Sequence, residues 1–172
     1  MNRLRALSIA LLSTMGLFTM GLFARPQQQA NQSTGQASQW CAPLAQRLGG
    51  LPVPNGPVCD VVVVRKAPMI RGSDGMNLNQ FTLMNSVLEF IKPGTSANDV
   101  YVMGDFALLE TELNGVLDQI TRYGWTVTGN HNHMINETPK TTFVHWETKG
   151  NLDTIVNQIN QAFQKTSIKG AP

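Results

Sequence analysis

The sequence predicts an α+β protein, in which an antiparallel sheet carries helices packed on one face. Four consecutive valines within residues 58–65 indicate a buried strand. Apolar residues recur at helical spacing in 109–120 and in 152–163. Residues 125–134 and 141–148 have the composition of strands. The C-terminal order strand-helix-strand-strand-helix is ferredoxin-like, which places both helices on the same side of the sheet.

The ends of these C-terminal elements follow from single residues. Residues 100–103 predict a short strand, with Gly104 marking the point where the chain turns out of it. Asp105 is suited to cap the following helix, and Gly124 is suited to end it in a left-handed conformation. Asn151 is the predicted cap of the last helix.

The upstream part is predicted to be less regular. A short helix is expected to begin at Ser38 and to stop at the glycine pair 49–50. The three prolines in 51–57 indicate a rigid connector. Asp74-Gly75 favours a hairpin turn, so that its flanking residues would pair. Residues 81–91 fit either a helix or a strand.

The first residues have the layout of a secretory signal peptide. Arg3 and Arg5 form a short positive region, the run 6–23 is almost wholly apolar, and Ala24 offers a small residue at the cut. We therefore expect a signal peptide at 1–24 and a periplasmic or secreted protein, with an uncleaved anchor as the alternative. The polar stretch 25–37 predicts a flexible leader.

The mature chain is predicted to be one α+β domain over 38–166 with a tail at 167–172. The sequence holds 13 Lys and Arg against 11 Asp and Glu, and loss of the two signal arginines leaves 11 against 11. A nucleic-acid partner is excluded, because its phosphates require a basic surface. No second apolar run of about 18 residues occurs, so no membrane span is expected once the signal is removed.

Two cysteines remain in the exported chain, Cys41 and Cys59. An even count in an oxidising compartment favours a disulfide between them. A redox-active pair would prefer the close C-x-x-C spacing, which this chain lacks.

One cluster of residues with chemical potential lies in the predicted C-terminal hairpin, which contains all three histidines of the chain. His131 and His133 are two residues apart on a strand and so share a face. A hairpin centred near residue 138 would bring His145 opposite His131. Three imidazoles are suited to a divalent metal such as zinc, with Glu110 as the expected carboxylate ligand and Asp105 as the second choice.

Several functions remain open for this histidine patch. The leading hypothesis is an extracytoplasmic domain that binds a small molecule or a metal ion. A metal-assisted hydrolase would use the same histidines, with Glu110 or Glu137 as the base. A structural or envelope-interaction module would use an open sheet face or the leader instead. His131 would be a plain core histidine if it shared a face with Trp125 and Val127.

The same region resembles a known family. The runs 103–114 (MGDFALLETELN) and 125–133 (WTVTGNHNH), and 143–145 (FVH) after Pro139, are similar to segments of the LppY/LpqO-like proteins. These are exported bacterial proteins, often lipoproteins, with a domain of unknown function. The resemblance covers about 101–163 and implies export and a histidine patch, but no particular reaction.

The sequence departs from this family at three places. Gly129-Asn130 replaces the usual Ala-Leu before the histidines, and 147–149 is more polar than usual. The residues before Cys41 are Ser-Gln-Trp, which lack the small-residue pattern of a lipoprotein cleavage site. Lipid anchoring is therefore not expected for this chain.

Overall fold

The computed structural model describes residues 39–80, 84–92 and 98–168. The predicted signal peptide at 1–24, the leader at 25–37 and the predicted cap Ser38 lie outside the described residues.

Within the described ranges the chain forms three α-helices and six β-strands. In chain order they are α1 (39–48), β1 (Leu51–Asn55), β2 (Val58–Val64), β3 (Asn85–Ile91), β4 (Asp99–Leu109), α2 (Leu113–Arg122), β5 (Thr126–His131), β6 (Thr141–Asn151) and α3 (Leu152–Phe163). Short 3₁₀ turns cover Leu78–Gln80 and Glu110–Glu112.

All six strands belong to one sheet in the order β1-β2-β3-β4-β6-β5, and every neighbouring pair is antiparallel. Because β4 and β5 both pair antiparallel with β6, they run parallel to each other with β6 between them. The predicted α+β class with an antiparallel sheet is confirmed. Three further strands extend this sheet upstream of β4, and the ferredoxin-like description of the C-terminal part is not confirmed.

The three helices cover one face of the sheet, which we call the helix face. The main core joins apolar residues of α1, α2 and α3 with the inward side chains of β2, β3, β4 and β6. Phe106 of β4 lies between the rings of Trp146 and Phe163, at centroid distances of 5.0 and 5.3 Å. The apolar stripe of α3 is buried as its spacing predicts. The opposite face, which we call the open face, lacks a helix layer in the described chain.

The segment predicted as a rigid connector is a strand. Residues Leu51–Asn55 form β1 and pair with β2 in a tight hairpin, so this prediction is wrong. Pro52 and Pro54 are compatible with the strand because β1 lies at the edge of the sheet, where a missing N–H leaves no ladder bond unmade. The glycine pair ends α1 as expected, and Gly49 adopts a positive φ of 68°.

Strand β4 is more than twice as long as predicted. It does not leave the sheet at Gly104 but continues to Leu109, so Asp105 lies within a strand and is not a helix cap. Gly104 is opposite Trp146 in β6, and a Cβ at Gly104 would lie 2.1 Å from the indole ring. Glycine is therefore required here for close packing and not for a turn. The helix predicted from residue 109 begins at Leu113, after a 3₁₀ turn.

Two other predicted boundaries agree with the structure, whereas β5 ends at His131 and β6 continues to Asn151. Gly124 has a positive φ of 70° after α2, and Asn151 caps α3 by accepting hydrogen bonds from the backbone N–H groups of Asp153 and Thr154. The sequence Asp74-Gly75 does form a turn, but its flanks are joined by one isolated bridge and not by a hairpin of strands. The ambiguous segment before Pro93 contains strand β3, and residues 81–83 lie outside the described part.

The predicted disulfide is confirmed. Cys41 of α1 and Cys59 of β2 are bonded and wholly buried, which fastens the first helix to the sheet. No helix in the described part of the chain is long and apolar enough to cross a membrane.

The residues assigned to a C-terminal tail begin inside the folded unit. Ile168 is fully buried, and its carbonyl accepts a hydrogen bond from Lys66. The backbone N–H and hydroxyl of Ser167 both donate to the Glu112 carboxylate, at 2.7 and 2.6 Å. Glu112 in turn pairs with Arg65 at 2.6 Å. The ordered domain therefore extends at least to Ile168.

Candidate functional site

A bulge in β5 decides which way the histidines face. Val127 pairs with Trp146, whereas Gly129 pairs with His145, so Thr128 is an extra residue without a partner of its own. The inserted residue reverses the alternation of side chains, and His131 lies on the open face with His145. The hypothesis that His131 shares a face with Val127 as a core histidine is therefore wrong, and His131 is exposed.

The two histidines form a close pair. Nε2 of His131 and Nε2 of His145 are 2.9 Å apart, and the rings are nearly parallel with centroids 5.1 Å apart. The predicted register is wrong by two residues, because Phe143 and not His145 lies opposite His131. The two imidazoles still meet, because a shift of two residues keeps the same face.

Asp105 stands behind this pair on β4. It is the register partner of His145, and its Oδ1 lies 3.8 Å from Nδ1 of that residue. Burial raises the pKa of Asp105, and this effect is opposed by the charges of the nearby histidines, with His145 foremost. At 3.8 Å the two groups are beyond hydrogen-bond distance, and this buried oxygen of Asp105 has no hydrogen-bond partner among the described residues.

His133 is near the pair but outside it. It lies beyond the end of β5, its ring centroid is 6.5 Å from that of His131, and it packs 4.4 Å from the ring of Phe143. Phe143 also stacks on His131, at 6.0 Å. Only two of the three predicted imidazoles therefore bring ring nitrogens within hydrogen-bond distance of each other.

Neither predicted glutamate joins the histidines. Glu110 is exposed in the 3₁₀ turn after β4, and in the described chain no hydrogen bond or ion pair links it to a histidine. Glu137 is buried and accepts hydrogen bonds from the backbone N–H and hydroxyl of Thr141. Burial acts to raise the pKa of Glu137, but these hydrogen bonds hold it below its usual value. Glu137 thus closes the hairpin loop and is poorly placed as a base.

The pair borders a shallow concavity of about 490 Å³ on the open face. Its lining contains two carboxylates and no Lys or Arg, together with apolar side chains and one histidine; the lining residues are Val87, Glu89, Met103, Gly104, Asp105, Thr128, His145 and Trp146. Met103 is about half exposed there, at 47%. A small ligand at the histidines would therefore have a floor of mixed apolar and acidic character beside it.

The segment between β2 and β3 holds the hairpin loop in place. Ile70, Leu78 and Met84 pack on Ala107 and Phe143, which covers one end of the open face with a second apolar cluster. The backbones of Arg71 and Thr138 exchange two hydrogen bonds of 2.8 Å. The histidine pair lies where this covered end meets the uncovered sheet.

The described residues include no group of three or more His, Cys, Asp or Glu side chains placed to hold a metal ion. The chain thus supplies two hydrogen-bonded imidazoles and one carboxylate beside them. Such a pair can coordinate a metal that takes its other ligands from solvent, or it can hydrogen-bond a polar ligand.

Sequence reasoning missed the residues that shape the site. Thr128 creates the bulge, Phe143 supports both rings, and Glu89 and Met103 line the concavity. The glycine at 129 within a predicted strand was the one available signal for a bulge. No signal in the sequence marks Glu89 and Met103, because their place in the concavity depends on the order of the strands in the sheet.

Comparison with known proteins identifies the family. No match to the chain was found among curated proteins or among solved structures. A family model described as "Domain of Unknown Function (DUF1259)" matches residues 42–165, which contain the sheet, most of α1, helices α2 and α3, and all three histidines. Since the match covers most of the sequence, the chain belongs to this family of domains of unknown function.

Proposed function

We propose that this protein is an exported domain that binds a small ligand, a divalent metal ion foremost, through His131 and His145. The observation that carries the proposal is the 2.9 Å separation of the two Nε2 atoms on an otherwise uncovered sheet face. When the hydrogen bond between them opens, two imidazole nitrogens from different strands can bind one polar group, or a metal ion whose other ligands come from solvent.

The surroundings of the pair support binding at this point. The side chain of His145 is 41% exposed, so a ligand can reach it from solvent, and Asp105 lies on the far side of its ring. The ring of Phe143 lies nearly parallel to that of His131, with the centroids 6.0 Å apart. The site is thus accessible on one side and supported on the other, as a ligand-binding site requires.

The proposal is tested on protein exported to the periplasm and purified without a His-tag. Elemental analysis measures bound metal, and the metal-free protein is then titrated with Zn²⁺ while the imidazole C–H signals are followed by NMR. We expect the signals of His131 and His145 to shift together. Replacing either by alanine should weaken binding about tenfold or more, since one of two protein ligands is lost.

His133→Ala is the matched control, because it removes an exposed imidazole of the same hairpin whose ring centroid lies 6.5 Å from that of His131. It should retain wild-type affinity. Binding that survives both His131→Ala and His145→Ala would contradict the proposal, as would an apo protein that binds no metal probe.

The open face favours a second candidate, an envelope-interaction module. Large apolar side chains are exposed along it, namely Leu51, Val53, Val64, Ile91, Tyr101 and Met103, with exposed fractions from 36 to 59%. An extended apolar face rimmed by polar residues is typical of a surface that contacts a partner. Under this candidate the histidines would lie beside the contact area and not form its centre.

The two candidates are separated by photo-crosslinking in intact cells. A crosslinker at Tyr101, on the open face, should capture a partner, whereas one at the exposed Asp118 of α2 should not. Equal labelling from both positions would argue against an interaction surface on the open face.

The compartment and the closer family relationship belong to the same proposal. The disulfide is compatible with an oxidising compartment, which agrees with a signal peptide at 1–24 and a periplasmic or secreted location. The segments that resemble LppY/LpqO-like proteins contain residues 103–109 of β4, all of β5 and the histidine pair. N-terminal sequencing of exported protein tests the export step, and an intact Met1 would contradict it.

A further inference from the structure

We propose that one end of the domain docks on the surface of a lipid bilayer that contains anionic headgroups. We call this region the loop end; it consists of residues 65–80, which follow β2, and residues 132–140, which connect β5 to β6. Large apolar side chains are exposed to solvent there, and the exposed charges around them are mostly positive on a domain that is otherwise acidic. This surface is separate from the histidine pair and does not depend on what that pair binds.

The two loops form one surface because their backbones are hydrogen-bonded to each other. The N–H groups of Arg71 and Thr138 each donate to the carbonyl oxygen of the other residue, at 2.8 Å. The guanidinium of Arg71 donates to the carbonyl oxygen of Gly75 at 3.0 Å, and the N–H of Gly72 donates to that of Met76 at 2.9 Å. The loop end is thus a hydrogen-bonded unit at the edge of the sheet where β2, β4 and β5 end.

Three large apolar side chains are exposed on this unit. Ile135 is 83% exposed, the highest fraction among the large apolar residues of the described chain, and Met69 and Met76 are 49% and 50% exposed. Each lies within five residues of Arg71 or Thr138, which join the two loops. Three side chains are too few for a standard protein interface, which buries about 800 Å² on each partner. Attachment to a bilayer scales instead with the apolar area that enters it, added to the attraction for anionic lipids.

The exposed charges of the loop end complement an anionic surface. They are three cations and one anion, namely Lys66, Arg71, Lys140 and Asp74. The other two charged side chains of the loop end, Arg65 and Glu137, are buried. The rest of the described chain has nine Asp and Glu against five Lys and Arg. Exposed positive charge is therefore concentrated around the exposed apolar side chains, and each cation near an anionic leaflet strengthens attachment about fivefold.

The test measures the binding of exported protein, purified from the periplasm without a tag, to lipid vesicles by co-sedimentation. Vesicles of phosphatidylcholine alone are compared with vesicles that also contain phosphatidylglycerol, at low and at high salt. We expect binding to the anionic vesicles at low salt, and weaker binding at high salt because the exposed charges are screened. Binding to neither kind of vesicle, or equal binding to both at every salt concentration, would overturn the proposal.

Substitution of the most exposed apolar residue shows whether the loop end enters the bilayer. Ile135→Ser should weaken binding to the anionic vesicles about tenfold, because the apolar side chain is no longer removed from water. Val127→Ser is the matched control, since Val127 is 41% exposed near the start of β5, at the opposite end of that strand. It should leave the affinity unchanged.

Substitution of the cations tests the charge argument in the same way. Lys66→Gln combined with Lys140→Gln should weaken binding about twentyfold, as expected for two cations at an anionic surface. The control combines Arg122→Gln with Lys149→Gln, which removes two exposed cations at the end of α2 and near the end of β6. It should change the affinity by less than about twofold, because these charges are screened from the bilayer.

The melting temperature of each variant is measured first, so that a loss of binding is read only from folded protein. Equal losses from the loop-end substitutions and from their controls would overturn the proposal. Sedimentation equilibrium without lipid tests the other occupant of such a surface. A wild-type dimer that Ile135→Ser dissociates, with vesicle binding unchanged, would assign the loop end to a second copy of this chain and not to a bilayer.

Discussion

At the scale of single residues, Arg65 and Glu112 form an ion pair buried inside the domain. Their side chains are 1% and 9% exposed, and the ion pair is completed by Ser167, which donates twice to Glu112. Arg65 also donates to the backbone carbonyl of Ala107 at 2.8 Å. Removing one partner of such a pair is costly, because the other charge remains buried without compensation.

We predict that Glu112→Gln destabilises the domain by about 3–5 kcal/mol at pH 7. Burial acts to raise the pKa of Glu112, but hydrogen bonds from Arg65 and Ser167 hold it below the ordinary 4.5. Its stabilising contribution is therefore complete above pH 4.5 and is lost as the pH falls through the lower folded pKa. Denaturant unfolding between pH 3 and 7 measures this.

The control for this prediction is Glu110→Gln, two residues earlier and exposed. It should change the free energy of unfolding by less than about 0.5 kcal/mol at any pH. Equal effects of the two substitutions would show that the buried pair does not contribute as described.

The contribution of Asp60 to the stability of the fold depends on pH in the opposite sense. It faces the open side of β2 beside Glu89, and burial, followed by the charge of Glu89, raises the pKa of Asp60 above 3.8. A group whose pKa is higher in the folded than in the unfolded state stabilises the fold below its unfolded pKa. This contribution is lost as the pH rises through its pKa in the folded state. Asp60→Asn should therefore raise the melting temperature at pH 7, with no gain near pH 3.

The control for Asp60 is Asp118→Asn on the exposed side of α2. The melting temperature of Asp118→Asn should equal that of the wild-type protein at every pH. A gain for Asp60→Asn that persists unchanged at low pH would rule out the electrostatic cause.

At the scale of elements, the contact between β4 and β6 depends on one glycine. The indole of Trp146 lies directly over Gly104 and is stacked on Trp125, with ring centroids 4.2 Å apart. We predict that Gly104→Ala destabilises by about 1–3 kcal/mol or more, because the buried ring must move. Thermal unfolding followed by tryptophan fluorescence measures both the loss and the displaced ring.

Gly115→Ala is the comparison for this prediction. A Cβ at Gly115 of α2 would meet only the Cβ of Lys165, at 3.6 Å, which is ordinary contact. It should stabilise by up to about 1 kcal/mol, since alanine favours a helix interior. If Gly104→Ala were tolerated as well as Gly115→Ala, the close packing of β4 and β6 would not depend on the absence of a side chain.

The elements that the sequence predicts well are those with a regular period. The stripes of α2 and α3 and the valines of β2 carry their own signal, because burial on one side leaves a periodic pattern. The long continuation of β4 was missed because Gly104 and Asp105 suggest a turn and a cap in isolation. They stay in the strand because they pair with β6, in which the partner of Gly104 is Trp146, 42 residues further along the chain.

The candidate site was only partly predicted, again because some of its features depend on neighbouring strands. That His131 and His145 would meet follows from the hairpin, and it is insensitive to a register error of two residues. The bulge at Thr128 was invisible, although without it His131 would face the helices. Glu110 was preferred over Asp105 because the helix was expected to begin earlier than it does.

At the scale of the whole molecule, the disulfide Cys41–Cys59 joins the first helix to the sheet far from the histidines in sequence. We predict that Cys41→Ser with Cys59→Ser lowers stability by about 3 kcal/mol, as expected for a closed loop of this size. Metal binding by the histidine pair should not change below the melting temperature. Calorimetry and Zn²⁺ titration measure the two effects, and an unchanged melting temperature would show that the bond does not stabilise the fold.

The clasp formed by Arg65, Glu112 and Ser167 also affects when the protein can fold. Arg65 and Ser167 are 102 residues apart in the chain, so a polypeptide that leaves the ribosome N-terminus first must wait for most of its length before the clasp closes. A chain in that condition lacks the hydrogen bonds that Ser167 donates to Glu112. Chains truncated after residue 160 should accordingly be digested rapidly by protease, whereas chains that reach residue 168 should resist; equal resistance would show that folding precedes the clasp.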